Sequence, residues 1–203
     1  MTSIIIGDII NSRKLPVKKW LLPLKQFLNN QGKSPKDWEI FRGDQFQLEV
    51  KNPEEALLIA IQIKALLKNI KLDARMSIGI GEKTYNAKKI SESNGSAFVN
   101  SGDLFENLKK EKITLAIKSG NAIFDYEINL ALRLALVTMD SWLPQSSEFV
   151  SVAIKNQSLS QEQIGAILNI NQAAVSRRKS RSQFDLIMEL DAYYREKIKK
   201  LSL

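Results

Sequence analysis

The chain has 203 residues, 44% hydrophobic and 26% charged, which suffices for one domain of moderate size plus a small helical module. It contains no cysteine and no histidine. Disulfides, thiolate or imidazole metal sites and catalysis by cysteine or histidine are therefore excluded. The formal net charge is +8. A basic excess is typical of proteins that bind polyanions, but for charge alone a solvated lysine-rich surface is the favoured explanation.

The sequence predicts a cytoplasmic protein without a membrane span. Asp8 interrupts the first apolar run, and no basic segment precedes that run, so we expect no targeting segment. The apolar stretch from Ala56 contains Gln62 and Lys64 and therefore does not resemble a transmembrane helix.

Strand and helix patterns alternate up to residue 125. The predicted elements are a strand at 4–6 that stops before Asp8, a loop at 9–13, a helix at 16–28, a hairpin at 38–50, a helix at 53–71, a strand at 74–80, a helix at 96–112 and a strand at 113–118. This order predicts an α+β domain over 1–125 with a ferredoxin-like or palm-type sheet and its helices on one face. The remainder, 126–203, predicts a helical connector followed by an all-α module.

The segment 159–178 has the pattern of a tight helical corner. Ser160 and Gln163 have the spacing of a capping box, Gly165 is small where a second helix would cross, and Asn169 tolerates a left-handed turn. The run "LSQEQIGAILNINQAAVSRR" resembles the helix-turn-helix segments of bacterial repressors and of sigma region 4. The resemblance implies binding of double-stranded DNA, and an ordinary helical hairpin with a basic surface is the alternative.

Side chains suited to DNA recognition gather at the starts of both helices of this segment. Glutamine can read adenine edges, and arginine or lysine can read guanine or neutralise phosphates. The candidate DNA-binding residues are Gln161, Gln172, Ala173, Ser176, Arg177, Arg178, Lys179 and Arg181. A two-fold related pair of such helices matches two half-sites, so we expect a homodimer.

Two carboxylates are candidate metal ligands in the first domain. Asp8 follows a predicted central strand and Asp44 lies at the tip of the predicted hairpin, which neighbours that strand in a palm-type sheet. Without histidine or cysteine, such a pair suits Mg²⁺ or Mn²⁺, ions that bridge to nucleotide phosphates. Each aspartate alone is also common as a turn or cap residue. The candidate nucleotide-binding residues around the pair are Ile9, Asn11, Ser12, Arg13 and Asn100.

These segments resemble those of class III nucleotide cyclases. The strings "IIIGDIINSR" and "IFRGDQFQLEV" are similar to the two metal-carboxylate segments of that family, and "RMSIGIG" is similar to its next core strand. In "GSAFVNSGDLFENL", Asn100 corresponds to the cyclase asparagine, but Leu104 stands where the cyclases have a transition-state arginine. The missing cation argues against cyclization, unless Arg75 or Arg133 substitutes for it.

The whole chain resembles the SatD-like family of bacterial proteins, with a palm-like domain followed by a helix-turn-helix. We therefore expect a transcriptional regulator whose cyclase-like domain senses a nucleoside triphosphate or cyclic nucleotide with a metal. Two alternatives remain open. One is a metal-dependent nucleotidyl cyclase or nucleotidyltransferase acting on nucleoside triphosphates, and the other is a degenerate palm domain used only for dimerisation.

Overall fold

The structure, a computed structural model, describes residues 1–201. Within them the chain is α+β, as predicted, with one five-stranded mixed sheet and eight α-helices. The strands are β1 (Thr2–Ile10), β2 (Trp38–Phe41), β3 (Gln45–Val50), β4 (Asp73–Gly81) and β5 (Leu115–Lys118). The helices are α1 (Val17–Asn29), α2 (Ala56–Asn69), α3 (Ser96–Glu111), α4 (Ala122–Met139), α5 (Pro144–Lys155), α6 (Gln161–Leu168), α7 (Gln172–Ser182) and α8 (Phe184–Leu201).

The sheet has the strand order β2-β3-β1-β4-β5. The central strand β1 pairs antiparallel with both β3 and β4, and β5 pairs parallel with β4. A parallel pair requires a crossover connection, which α3 supplies between β4 and β5. The predicted sequence of strands and helices is therefore correct in type and order.

The helices cover both faces of the sheet, so the prediction that they share one face is wrong. Ile5 and Ile9 of β1 point into the apolar cluster that contains α1 and α2, whereas Ile4 packs with Ala97 of α3 on the other face. At Gly79 of β4 an added Cβ would lie 2.2 Å from the Ala97 carbonyl oxygen. Only glycine permits this close approach of α3 to the strand.

The first strand is longer than predicted. The β1 ladder continues through Asp8, which stands opposite Gln45 of β3 and Arg75 of β4, as far as Ile10. The acid does not end the strand because β4 continues to pair with β1 beyond it, and the Asp44 carbonyl oxygen in the turn accepts a hydrogen bond from Ile9 N. Asp8 therefore lies within the sheet, at the end where β1 approaches the turn between β2 and β3.

The C-terminal helices share their apolar core with the sheet. Helix α5 packs along α2, and α8 packs on α2 and α4. The phenol of Tyr194 in α8 is buried and donates a hydrogen bond to the Pro53 carbonyl oxygen over 2.6 Å. The predicted division after residue 125 falls inside α4, and one continuous apolar cluster extends across it. None of the helices described is long and apolar enough to cross a membrane.

Candidate functional site

An ion pair inside the sheet marks the first candidate site. Arg75 Nη1 lies 3.2 Å from Asp8 Oδ2, with both side chains on the α3 face of neighbouring strands. The other carboxylate oxygen of Asp8, Oδ1, and the Arg75 Nε are buried and have no hydrogen-bond partner among residues 1–201. Leaving a buried polar atom unpaired costs free energy. Both side chains are partly exposed, so two such atoms on one ion pair mark a place that water or a polar ligand would complete.

The second carboxylate comes from the β2–β3 turn. Arg42 and Gly43 both adopt positive φ, which turns the chain tightly and leaves Asp44 in the turn, immediately before β3. The Asp44 backbone carbonyl accepts a hydrogen bond from Ile9 N over 3.1 Å. Its side-chain Oδ2 accepts from the Ser12 hydroxyl over 2.6 Å. The loop after β1 is thus held against the hairpin tip.

The charges of the two aspartates act on each other. Burial raises the pKa of the Asp8 carboxyl above its ordinary value, and the nearby negative charge of Asp44 raises it further. The positive charges of Arg75 and Lys109 oppose this rise. Asp44 thus acts electrostatically on Asp8, and Lys109 of α3 is a second charged neighbour that the sequence did not identify. That the two carboxylates share one cation stays a prediction.

The oxygen atoms of Asp8, Asp44 and Ser12 fit one divalent cation only if a bound ligand supplies further oxygen atoms. Carboxylate and hydroxyl oxygens are the ligands that Mg²⁺ and Mn²⁺ prefer. However, residues 1–201 contain no group of three acidic side chains arranged to hold a metal, and Arg75 already neutralises Asp8. Magnesium is commonly bound by one or two carboxylates together with phosphate oxygens of a ligand. Asp8 and Asp44 would thus hold a cation in company with a phosphorylated ligand.

The other predicted nucleotide-binding residues lie at different places. Asn11, in a left-handed conformation, and Arg13 are exposed on the loop beside Ser12. The side chain of Ile9 is buried, so only its backbone faces the site. Asn100 Nδ2 donates to the Ile80 carbonyl oxygen over 2.9 Å. That carbonyl lies five residues along β4 from Arg75, about 16 Å away, so Asn100 does not join the carboxylates.

The second candidate site is built around the corner between α6 and α7. The Ser160 hydroxyl accepts from Gln163 N over 3.3 Å, and the side-chain Oε1 of Gln163 accepts from Ser160 N over 2.8 Å, which completes the predicted capping box. Asn169 adopts the left-handed conformation with φ of 54°. A Cβ on Gly165 would lie 2.7 Å from the Ile170 carbonyl oxygen. Each local signal in the sequence therefore has the predicted structural role.

Helix α7 presents one basic, exposed face. Its N-cap Asn171 accepts a hydrogen bond from Ala174 N, and Val175 anchors the helix in the core. The exposed face consists of Gln172, Ala173, Ser176, Arg177 and Arg181. No acidic residue occurs in α7, and neither arginine of this face forms an ion pair within residues 1–201. The face thus combines polar and cationic side chains that are free to meet a ligand.

Three other predicted DNA-binding residues are placed differently. Arg178 Nη1 lies 2.7 Å from Glu148 Oε2 of α5. Lys179 Nζ lies 2.8 Å from Asp185 Oδ1 of α8. Both cations are therefore neutralised within the chain and attach α7 to its neighbouring helices. Gln161 is half-buried at the start of α6.

Comparison of the chain with protein-family models, with curated proteins and with solved structures gave no match. The two candidate sites are therefore interpreted from the geometry and chemistry of this chain alone.

Proposed function

We propose that this protein is a DNA-binding transcriptional regulator that reads duplex DNA with α7 as the second helix of a helix-turn-helix. The observation that carries the proposal is the exposed face of α7, where Arg177 and Arg181 form no ion pair with any described residue, while the other two cations of the helix form internal ion pairs. A recognition helix places its N-terminal polar residues against base edges in the major groove. Gln172, Ala173 and Ser176 have this position, and the two arginines follow one and two turns later.

The connection between α6 and α7 supports the same proposal. The αL residue Asn169 and the close contact at Gly165 produce a corner of three residues between the helices. Such a corner holds the second helix at a fixed angle on the first, with its outer face uncovered. Exposed arginines also occur on ordinary helical hairpins, so the support comes from their place on the uncovered face beside the corner.

Duplex binding should be strong at low salt and should decrease steeply as salt rises. Each phosphate contact releases counterions, so the logarithm of affinity falls linearly with the logarithm of salt concentration. Fluorescence anisotropy of a labelled random duplex, titrated with the full chain between 50 and 200 mM salt, measures the slope. A single-stranded oligonucleotide of equal charge is the control. Absence of duplex binding at 50 mM salt would contradict the proposal.

A second function is favoured by the unpaired atoms at Asp8 and Arg75. We propose that the sheet is a palm-type, ferredoxin-like domain that binds a nucleoside triphosphate or cyclic nucleotide together with Mg²⁺ or Mn²⁺. The strand order β2-β3-β1-β4, antiparallel throughout, supports this assignment. Leu104 in place of an arginine favours binding over turnover as a cyclase or nucleotidyltransferase. Membership of the SatD-like family stays a prediction.

Replacing Asp8 by asparagine should remove the response to ligand without lowering the melting temperature of the free protein. The raised pKa means that the folded protein holds this proton more tightly than the unfolded chain does. Its contribution to stability is therefore greatest at acidic pH and is lost as pH rises through the folded pKa. At pH 7.5 we expect Asp8→Asn to melt at or above the wild-type temperature in the absence of ligand. The same variant should lose the increase in Tm that nucleotide plus Mn²⁺ produces in wild type.

The matched control is Asp103→Asn, which removes an exposed carboxylate from α3 and should retain the ligand response. Chromatography of the same incubations detects turnover, and a product that Asp8→Asn abolishes would establish the enzymatic alternative instead. If wild type shows neither a shift nor a product with any nucleoside triphosphate or cyclic nucleotide, the nucleotide proposal is wrong and the DNA proposal is unaffected.

A further inference from the structure

Helix α4 presents a stripe of large apolar side chains to solvent. Its members and their exposed fractions are Ile123 at 73%, Tyr126 at 67%, Leu130 at 42%, Leu134 at 69% and Val137 at 76%. The opposite side of the same helix is buried against the sheet and α8. A surface helix normally directs polar side chains outward. A contiguous apolar stripe of this length marks an interaction surface.

The spacing of the stripe is symmetric about Leu130. Tyr126 and Leu134 lie four residues before and after it, and Ile123 and Val137 lie seven residues before and after it. Steps of four and seven residues stay on one face of an α-helix. The spacing between apolar residues is therefore the same from either end of the stripe. An antiparallel copy of the helix, rotated about a two-fold axis at Leu130, would meet apolar residues at every level.

Helix α8 extends the apolar surface on one side of the stripe. It runs antiparallel to α4, as shown by the ion pair between Lys197 and Glu127 at 2.6 Å and by the groove that Thr138 and Leu186 share at the other end. This groove has a volume of about 380 Å³ and is lined mainly by apolar side chains. Leu186 and Tyr193 of α8 are themselves 60% and 38% exposed.

The exposed apolar area is sufficient for a stable dimer. The five residues of the stripe and the two from α8 together expose on the order of 800 Å², which is about the share of each partner in a standard protein–protein interface. A two-fold interface uses the same patch on both subunits and must be complementary to itself. The symmetric spacing satisfies this requirement, whereas an unrelated partner would not require it.

We propose that the α4–α8 surface is covered by a second copy of this chain, with the two α4 helices antiparallel and the two-fold axis at Leu130. The two α4 helices would lie at the centre and the two α8 helices would flank them on one side, forming a four-helix interface. The dimer is independent of any ligand. Its test is therefore separate from the DNA titration and the nucleotide experiment. A negative result in either of those would not contradict the dimer.

Sedimentation equilibrium of the full chain at 20 µM provides the first test. We expect a mass twice that of the 23.0 kDa chain. The double variant Leu130→Glu plus Leu134→Glu should have the mass of one chain with an unchanged far-ultraviolet circular dichroism spectrum. Val99→Glu, which alters a residue of α3 that is 54% exposed, is the control and should leave the dimer intact. A monomeric wild type overturns the proposal.

Cysteine cross-linking tests the orientation, because the chain has no cysteine of its own. A disulfide requires Cα atoms within about 7 Å of each other. Under mild oxidation Leu130→Cys should form covalent dimers, because the two copies of this position meet at the axis. Ile123→Cys should not, since its copies lie about 21 Å apart, but a mixture of Ile123→Cys and Val137→Cys chains should. Cross-linking of Ile123→Cys alone, without cross-linking of Leu130→Cys, would overturn the antiparallel arrangement.

Discussion

Replacing both Arg177 and Arg181 by alanine is expected to weaken duplex DNA binding about 100-fold in 0.1 M salt, since each base or phosphate contact of an arginine contributes about 1–3 kcal/mol. The two side chains are exposed on α7 and form no internal ion pair within the part of the chain that the structure describes. Fluorescence anisotropy with a labelled duplex measures the loss. If both residues contact phosphates, the salt slope should also decrease by about 2.

The matched control is the double variant Arg178→Ala plus Lys179→Ala, which removes the same positive charge from the same helix. These two side chains pair with Glu148 and Asp185, so their loss also frees two acidic groups but leaves the exposed face of α7 intact. We expect its affinity to stay within about fivefold of wild type, because partly exposed ion pairs contribute less than about 1 kcal/mol. Equal losses in both double variants would show that total charge, and not the α7 face, drives binding.

The difference between the exposed pair, Arg177 and Arg181, and the ion-paired Arg178 and Lys179 could not be predicted from the sequence, whereas the corner before them could. The corner between α6 and α7 was predictable because its signals are local: the capping box spans the four residues from Ser160 to Gln163, and Asn169 itself adopts the left-handed conformation. The partner of Arg178 is thirty residues earlier in the chain. Nothing within the "SRRKSR" run distinguishes Arg178 from Arg177. Only the packing of α7 against α5 decides which arginine is neutralised.

In the segment 1–125, too, local features were predictable from the sequence and contacts between distant residues were not. Periodicity predicted the order of strands and helices, and the neighbouring positions of β1 and the hairpin predicted that Asp8 and Asp44 approach each other. The sequence pattern did not predict that α3 crosses the face of the sheet opposite to α1 and α2. This position places Lys109 near Asp8 and holds Asn100 at the far end of β4. Which face a crossover helix occupies depends on contacts such as the one at Gly79, and these contacts are between residues distant in the sequence.

A buried lysine joins the sheet to the C-terminal helices. The side chain of Lys64 in α2 is completely buried, and its Nζ lies 2.8 Å from Asp73 Oδ1 and 2.6 Å from Asp140 Oδ1. Thr114 Oγ1 accepts a third hydrogen bond from it over 3.2 Å. In the sequence Lys64 only interrupts an apolar run. In the fold it connects α2, the start of β4, the approach to β5 and the residue after α4.

Replacing Lys64 by alanine should lower the free energy of unfolding by about 3 kcal/mol, because Asp140 and Thr114 lose their buried cation, whereas Asp73 keeps Lys68 as a partner at 2.9 Å. For a chain of this length the corresponding decrease in Tm is about 10 °C. Urea denaturation followed by circular dichroism measures the change. Lys51→Ala is the control, since that lysine is 76% exposed and its pair with Asp37 at 3.2 Å contributes about 1 kcal/mol or less.

The position of Lys64 also predicts that the proposed dimer should become less stable when this lysine is lost. Asp140 directly follows α4, which carries the proposed dimer surface and leads into α5 and α7. Loss of Lys64 should therefore lower the temperature at which the dimer dissociates together with that at which the sheet unfolds, in one cooperative transition. Two separate transitions in the variant, or a loss of stability no greater than that of Lys51→Ala, would show that the lysine does not connect the sheet to the helices.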